Sequence, residues 1–183
     1  MSNLKSLKPK LLLHACCMGC GAYVSDFLKA NFEVILYFSN SNIFPEKEYN
    51  VRLKETKRIA KKFNLKLICD DYNHKNWLSG IKGHEADSER GERCWICYKY
   101  RLESSARLAV TKKIKYFTST LSVSPHKDAK AIKIIGKKLE EKYNLKFLDN
   151  DFKKNDGFKK AVEFSKVLNL YRQNYCGCEF SLS

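Results

Sequence analysis

Proline is scarce in this chain, three among 183 residues, and no stretch is rich in both proline and glycine. There is no low-complexity segment and no internal repeat. Nothing marks a linker, so the chain reads as a single domain, residues 1–183, long enough to bury its own core. Long apolar runs are also missing. Met1 to Lys10 is polar and basic, and the run Leu11-Leu12-Leu13 is too short for a signal-peptide core or a membrane span. No basic helix carries the bulky apolar face that would lay it on a bilayer. These absences exclude a membrane role and point to the cytoplasm. Acidic residues are in short supply too, 20 against 35 Lys and Arg, giving a net charge of +15. That surplus favours a polyanionic partner, because basic side chains release the counterions condensed on nucleic acid. The alternative is a lysine-rich surface kept soluble by its charge.

What the chain does have is cysteine, eight residues in all. In a reducing compartment clustered cysteines are more often metal ligands or redox groups than structural disulfides. Seven of the eight fall into three groups. The first is His14-Ala15-Cys16-Cys17-Met18-Gly19-Cys20. Successive strand residues point to opposite faces, so Cys16 and Cys17 reach one centre only where the backbone turns. A helix beginning there favours thiolates through its N-terminal partial charge. The second is the C-x-x-C unit Cys94–Cys97, a two-ligand clip for zinc or an iron–sulfur cluster. The third is Cys176-Gly177-Cys178, which fits a labile disulfide and a metal pair equally. Seven thiols exceed what one cubane or one structural zinc takes, so the surplus binds a second metal or does thiol redox chemistry. Cys69 stands alone in an apolar run and reads as core. His14 reads as packing or as support to a neighbouring site.

Short apolar runs alternate with helical patterns. Runs at Leu11–Ala15, Val34–Phe38, Leu65–Cys69, Tyr116–Thr118 and Lys146–Leu148 read as strands. Ala22–Ala30, Glu46–Phe63, Cys97–Thr111, Asp128–Tyr143 and Phe158–Leu168 read as helices. This alternation predicts an α/β fold, a parallel sheet with helices on both faces. Ligands of such sheets sit at the carboxyl ends of the strands. Cys16 and Cys17, the loop 39–45 and the loop 119–125 all fall there. The tail 170–183 has to fold back over that edge to bring Cys176 and Cys178 in.

The segments HACCMGC at 14–20, SNSNIFPEKEYNVR at 39–52, GERCWICYKYRL at 91–102, FTSTLSVSPHKD at 117–128 and YRQNYCGC at 171–178 occur in that order. Together they resemble the cobalamin-independent epoxyqueuosine reductase family, QueH, from Leu11 to Cys178. One departure is Gly19, where that family usually has proline. The resemblance implies a sheet of the nucleotide α-hydrolase (HUP) type. It implies the last step of queuosine synthesis, an epoxide on the modified base in a tRNA anticodon loop being reduced to an alkene with loss of water. It implies a 4Fe-4S cluster on Cys16, Cys17, Cys94 and Cys97, with Cys176 and Cys178 as a redox pair. A second mononuclear iron, with the C-terminal thiols completing its site, is the other use of that pair. An electron donor protein or small reductant is the expected partner, and no cobalamin is expected. ATP-binding relatives of this scaffold carry a serine-glycine phosphate loop after the first strand. HACC stands there instead, so no ATP use is expected. Tyr171, Arg172, Tyr175, Trp95 and Arg101 are candidates to stack on unstacked RNA bases, and the lysine-rich stretch Lys54–Lys62 could follow phosphates. The competing readings are a tRNA sulfur-transfer enzyme on the same scaffold, a zinc-bound RNA-binding module and a metal-free thiol oxidoreductase.

Overall fold

A computed structural model describes residues 8–182. Residues 1–7, which hold most of the polar N-terminal stretch, and residue 183 at the end of the tail lie outside the described part. Five strands form one parallel sheet: β1 (Lys10–His14), β2 (Glu33–Phe38), β3 (Lys66–Cys69), β4 (Tyr116–Ser119) and β5 (Lys146–Phe147). Their order in the sheet is β3-β2-β1-β4-β5. The six α-helices are α1 (Met18–Leu28), α2 (Glu46–Lys62), α3 (His74–Gly80), α4 (Glu92–Thr111), α5 (Ala129–Tyr143) and α6 (Gly157–Val167).

The sequence of β1 explains its central place. Leu11, Leu12 and Leu13 have no accessible surface at all. Their alternation divides them between two cores. Leu12 joins Ile35 and Tyr37 under α4 and α5, against Leu102, Ala106, Ile132 and Ile135. Leu11 and Leu13 join Val34 and Leu36 on the other face, against Met18, Ala22 and Leu28 of α1, Ile59 of α2 and Ala161 of α6. Burying each such leucine contributes about 1.5–3 kcal/mol. Gly136 lets α5 approach the sheet, because a Cβ there would strike the Phe147 ring.

Helix ends follow the local chemistry. Asp128 caps α5 by accepting from the backbone N–H groups of Lys130 and Ala131. Asn144 closes α5 in the left-handed region, at φ 51°. Glu46 and Glu48 open α2, and Lys61 and Lys62 close it, matching its dipole.

The chain leaves β1 toward β2 and β3, then returns to the other side of β1 as β4 and β5. Strand direction of travel therefore reverses between β1 and β4, and a crevice opens beyond their carboxyl ends. Three features differ from the sequence reading. Helix α3 was not signalled, being seven residues long with only an Asn73 cap accepting from Asn76 N–H to mark it. Helix α4 starts at Glu92 rather than Cys97, so the whole C-x-x-C unit is helical. Cys69 is exposed rather than core, because β3 is an edge strand paired only with β2.

Candidate active site

The crevice at the β1/β4 junction is a cavity of about 510 Å³. Cys16, Cys17 and Cys20 line it from β1 and α1, Thr120 and Lys127 from the segment after β4, and Cys176 from the C-terminal tail. The chain bends at Cys16. Cys17 is extended, at φ −166° and ψ 162°, and takes the N-cap position of α1. This bend brings the two thiols close enough for each to shift the other.

The helix start does not leave these thiols acidic, contrary to the dipole argument. Cys16 is pushed up by its hydrogen bond to Cys17 and by burial, against the pull of Arg101 and Arg52. At Cys17 the contact with Cys16 pulls down, but Cys20 and burial outweigh it and the net direction is up. Burial exceeds the partial charge of one helix end.

Cys94 and Cys97 lie three residues apart on α4, hence on one face. Cys94 and Cys16 each pack against the edge of the α4/α5 core. Cys97 packs instead with Trp77, Ile81 and Cys178. Burial raises the Cys97 thiol, and raises Cys178 to about 12. The tail that carries Cys176 and Cys178 crosses the sheet edge and is fastened at several points. Phe44 N–H donates to Gly177 O at 2.7 Å, and Gln173 Nε2 to Cys17 Sγ at 3.0 Å. Gly177 sits at φ +114°, with Ile43 and Arg52 against it, so a side chain there would be both strained and crowded.

Buried cations form the rest of the site, and the sequence reading missed their role. Arg52, Arg93, Arg101 and Lys127 are all at most 9% exposed. Arg52 pairs with Glu48 at 2.7 Å, and Arg93 donates to the carbonyls of Glu85 and Asp87. Arg101 donates to Asn40 Oδ1 at 2.9 Å, while its Nε has no partner among the described residues. Burial works against the Arg101 charge, but Cys97, Cys16 and Cys176 around it outweigh that and raise it. Arg101 is therefore an interior cation and not a platform for an RNA base. The signal for it was its spacing, four residues after Cys97 on one helix face.

His14 is fully buried. Its Nε2–H donates to Ser39 O and its Nδ1 accepts from the Ser119 hydroxyl, each at 3.0 Å. Burial and then Arg101 push it down to about 3, so it is neutral. Both ring nitrogens are used in tying the ends of β1, β2 and β4 together, which fits the reading of His14 as support. Of the other stacking candidates, Arg172 is exposed at the cavity mouth, while Tyr171 is exposed against α2, its hydroxyl donating to Glu48. Tyr175 is half-buried under Arg52, and Trp95 is half-buried against the core.

Among the described residues, no three His, Cys, Asp or Glu side chains are already gathered as a metal site. Loading therefore requires thiol side chains to turn. The donor chemistry still fits an iron–sulfur group. The thiols surround a buried guanidinium that lacks a carboxylate, and an uncompensated charge of that kind costs several kcal/mol. An anionic, thiolate-bound cluster would supply the missing counter-charge.

The family profile described as epoxyqueuosine reductase QueH matches residues 11–183. The chain belongs to the QueH family. Among QueH proteins, that of Streptococcus pyogenes serotype M1 is 36% identical over 183 residues, covering 97% of this chain and 72% of its own length. The Haemophilus influenzae protein is 41% identical over 175 residues, covering 94% and 71%. The Thermotoga maritima protein is 35% identical over 178 residues, covering 94% and 90%. The fold is shared more widely. The U34-tRNA thiolase NcsA from Methanococcus maripaludis, solved with its [4Fe-4S] cluster, superimposes with a TM-score of 0.63 at 13% identity, over 100% of this chain and 64% of that one. A predicted subunit of tRNA methyltransferase from Methanocaldococcus jannaschii gives 0.55 at 12% identity, over 84% and 74%. The QueH sheet is thus of the HUP type expected from the motifs.

Proposed function

We propose that this chain reduces epoxyqueuosine to queuosine in the anticodon loop of tRNA, the last step of queuosine synthesis. It does so in the cytoplasm as a single iron–sulfur catalytic domain. The observation that carries this reading is that one thiol from each cysteine motif, Cys16, Cys97 and Cys176, surrounds Arg101 beside the β1/β4 crevice of a QueH-family chain. Family membership does not favour the sulfur-transfer and zinc-module alternatives.

Cys16, Cys17, Cys94 and Cys97 are the residues we assign to a 4Fe-4S cluster. The cluster, when bound, supplies electrons one at a time. Arg101 balances its charge from inside the fold. Cys176 and Cys178 form the two-electron pair at the mouth, which uses them for redox rather than for a second iron. Cys176 reaches the cavity, while Cys178 lies behind it. Their oxidation to a disulfide releases the two electrons that epoxide removal consumes. The flipped base enters beside Arg172 and Tyr175, and the net charge of +15 draws the RNA. An external reductant restores the dithiol. Neither cobalamin nor ATP takes part.

The test is anaerobic purification, iron and sulfide analysis, and incubation with tRNA carrying epoxyqueuosine under reducing conditions. We expect about four irons and four sulfides per chain, and queuosine among the digested nucleosides. A chain that takes up only zinc after reconstitution with iron and sulfide, and leaves epoxyqueuosine intact, sinks the proposal.

A further inference from the structure

We propose that Lys127 is both the counter-ion of a Cys176 thiolate and the proton donor to the departing epoxide oxygen. The inference rests on the reductase reading and adds an acid to it. Lys127 lies at the end of the loop that follows β4. Its Nζ is 2.6 Å from Cys176 Sγ. Both residues line the cavity, although Lys127 is only 9% exposed. Among the described residues Lys127 has no carboxylate partner, so the sulfur is what its ammonium is aimed at.

The loop is built to hold it there. Lys127 N–H donates to Ser124 O at 3.2 Å. Arg90 Nη2 donates to the neighbouring Pro125 O at 2.8 Å. The groups facing the ammonium are Cys176 from the tail and Tyr98 and Arg101 from α4. Burial opposes the ammonium and Arg101 repels it, yet the Cys176 contact outweighs both and the net direction is up. A thiol beside a lysine ammonium is the arrangement that makes a reactive thiolate.

Among the described residues, Lys127 is the acid hydrogen-bonded to Cys176 Sγ. His126, next to it on the same loop, also lines the cavity but stands exposed and makes no such contact. His14 is neutral, with both nitrogens engaged. Tyr98 is buried, does not line the cavity, and has its phenol pushed up by burial. Glu89 stands on the exposed rim. Arg101 does not give up protons. Cys178 lies behind Cys176, off the cavity lining, and enters the reaction as the thiol partner of the pair.

The resting groups then hold what the reaction takes. The Cys176 thiolate and the Cys178 thiol form an S–S bond and give up two electrons. Both C–O bonds of the epoxide break and a C=C bond forms, so carbon is reduced while sulfur is oxidised. The oxygen leaves as water with one proton from Lys127 and one from Cys178. The step begins with one thiolate and one ammonium and ends with a disulfide and a neutral amine, so charge balances as well. A reductant is needed only for the next turnover.

Two measurements on prereduced holoenzyme test this. The first is the pH dependence of Cys176 alkylation by iodoacetamide, followed by mass spectrometry of the C-terminal peptide, and it needs no tRNA. Wild type and Lys127→Arg should share one midpoint, and Lys127→Met should alkylate with a midpoint shifted upward from it. A Lys127→Met profile matching wild type overturns the ion pair. The second is single turnover with tRNA carrying epoxyqueuosine and no added donor, read as queuosine and disulfide formed. Lys127→Arg keeps the charge but withholds the proton, so it should slow turnover by roughly 10²–10⁴-fold. Wild-type rates in Lys127→Arg overturn the donor role. If the wild-type enzyme leaves epoxyqueuosine unreduced, the donor role falls together with the reductase reading. The alkylation profiles still decide the ion pair.

Discussion

Arg52 holds the tail by its backbone: Nη1 donates to Cys176 O at 3.1 Å and Nη2 to Tyr175 O at 3.3 Å. The same guanidinium is anchored by Glu48 and lies over the Tyr175 ring, 5.3 Å from its centre. One side chain of α2 thus fixes the position of the C-terminal thiols over the cavity. Arg52→Met should leave Glu48 unpaired and free the tail. Breaking a buried pair of this kind costs about 3–5 kcal/mol. Hydrogen exchange at residues 173–180 should accelerate well before the sheet opens, and epoxide reduction should fall sharply. Unchanged exchange in that peptide would show that the tail is held elsewhere.

Much of this arrangement was legible in the sequence, and its gaps have physical causes. Alternating runs such as Leu11–Leu13 and Val34–Phe38 declare buried parallel strands. The position of Cys16 and Cys17 at a strand end declares the site edge. Cys69 misled because an apolar neighbourhood does not reveal whether a strand is central or at an edge. Arg52, Arg101 and Lys127 were hidden for a different reason. A basic residue in a basic chain reads as surface, and only the packing of the tail and α4 turns these three inward. Helix α3 was too short for a periodic signal.

His14 links three strand ends, and its removal tests whether it supports the site or forms part of it. His14→Phe keeps the apolar body and strands the Ser119 hydroxyl and the Ser39 carbonyl without their partner. Each unsatisfied buried group costs about 1–3 kcal/mol. The unfolding midpoint should drop accordingly, while iron content per folded chain stays near the wild-type value. Loss of iron at unchanged stability would make His14 a ligand.

The exposed Cys69 and the motif thiols should behave oppositely toward substitution. Cys69 lies on edge strand β3 away from the cavity lining. Maleimide should label it at the same rate whether or not the cluster is loaded. Cys69→Ser should keep iron content and turnover within about two-fold, as expected for a surface change. Cys94→Ser should lose the cluster, measured as iron and sulfide per chain. Retention of a full cluster in Cys94→Ser would remove that residue from the ligand set.

Arg101 offers a prediction in which the sign reverses with metal. In the metal-free protein its guanidinium is buried, with an amide oxygen as its hydrogen-bond acceptor and two raised thiols beside it, Cys16 through its contact with Cys17 and burial, Cys97 through burial. Replacing such a charge by an apolar side chain of similar length is often neutral or stabilising by about 1–4 kcal/mol. Arg101→Met should therefore melt at or above wild type when both lack iron. With the cluster loaded the order should invert, because the thiolate-bound cluster needs the positive charge that the variant has lost. Thermal melts of the two proteins, each with and without anaerobic reconstitution, form a four-way cycle whose interaction energy isolates the Arg101–cluster contact. A cycle that closes to zero would mean that Arg101 serves the fold and not the cluster. A metal-free variant that melts far below wild type would mean that the Asn40 contact carries more of the fold than its burial suggests.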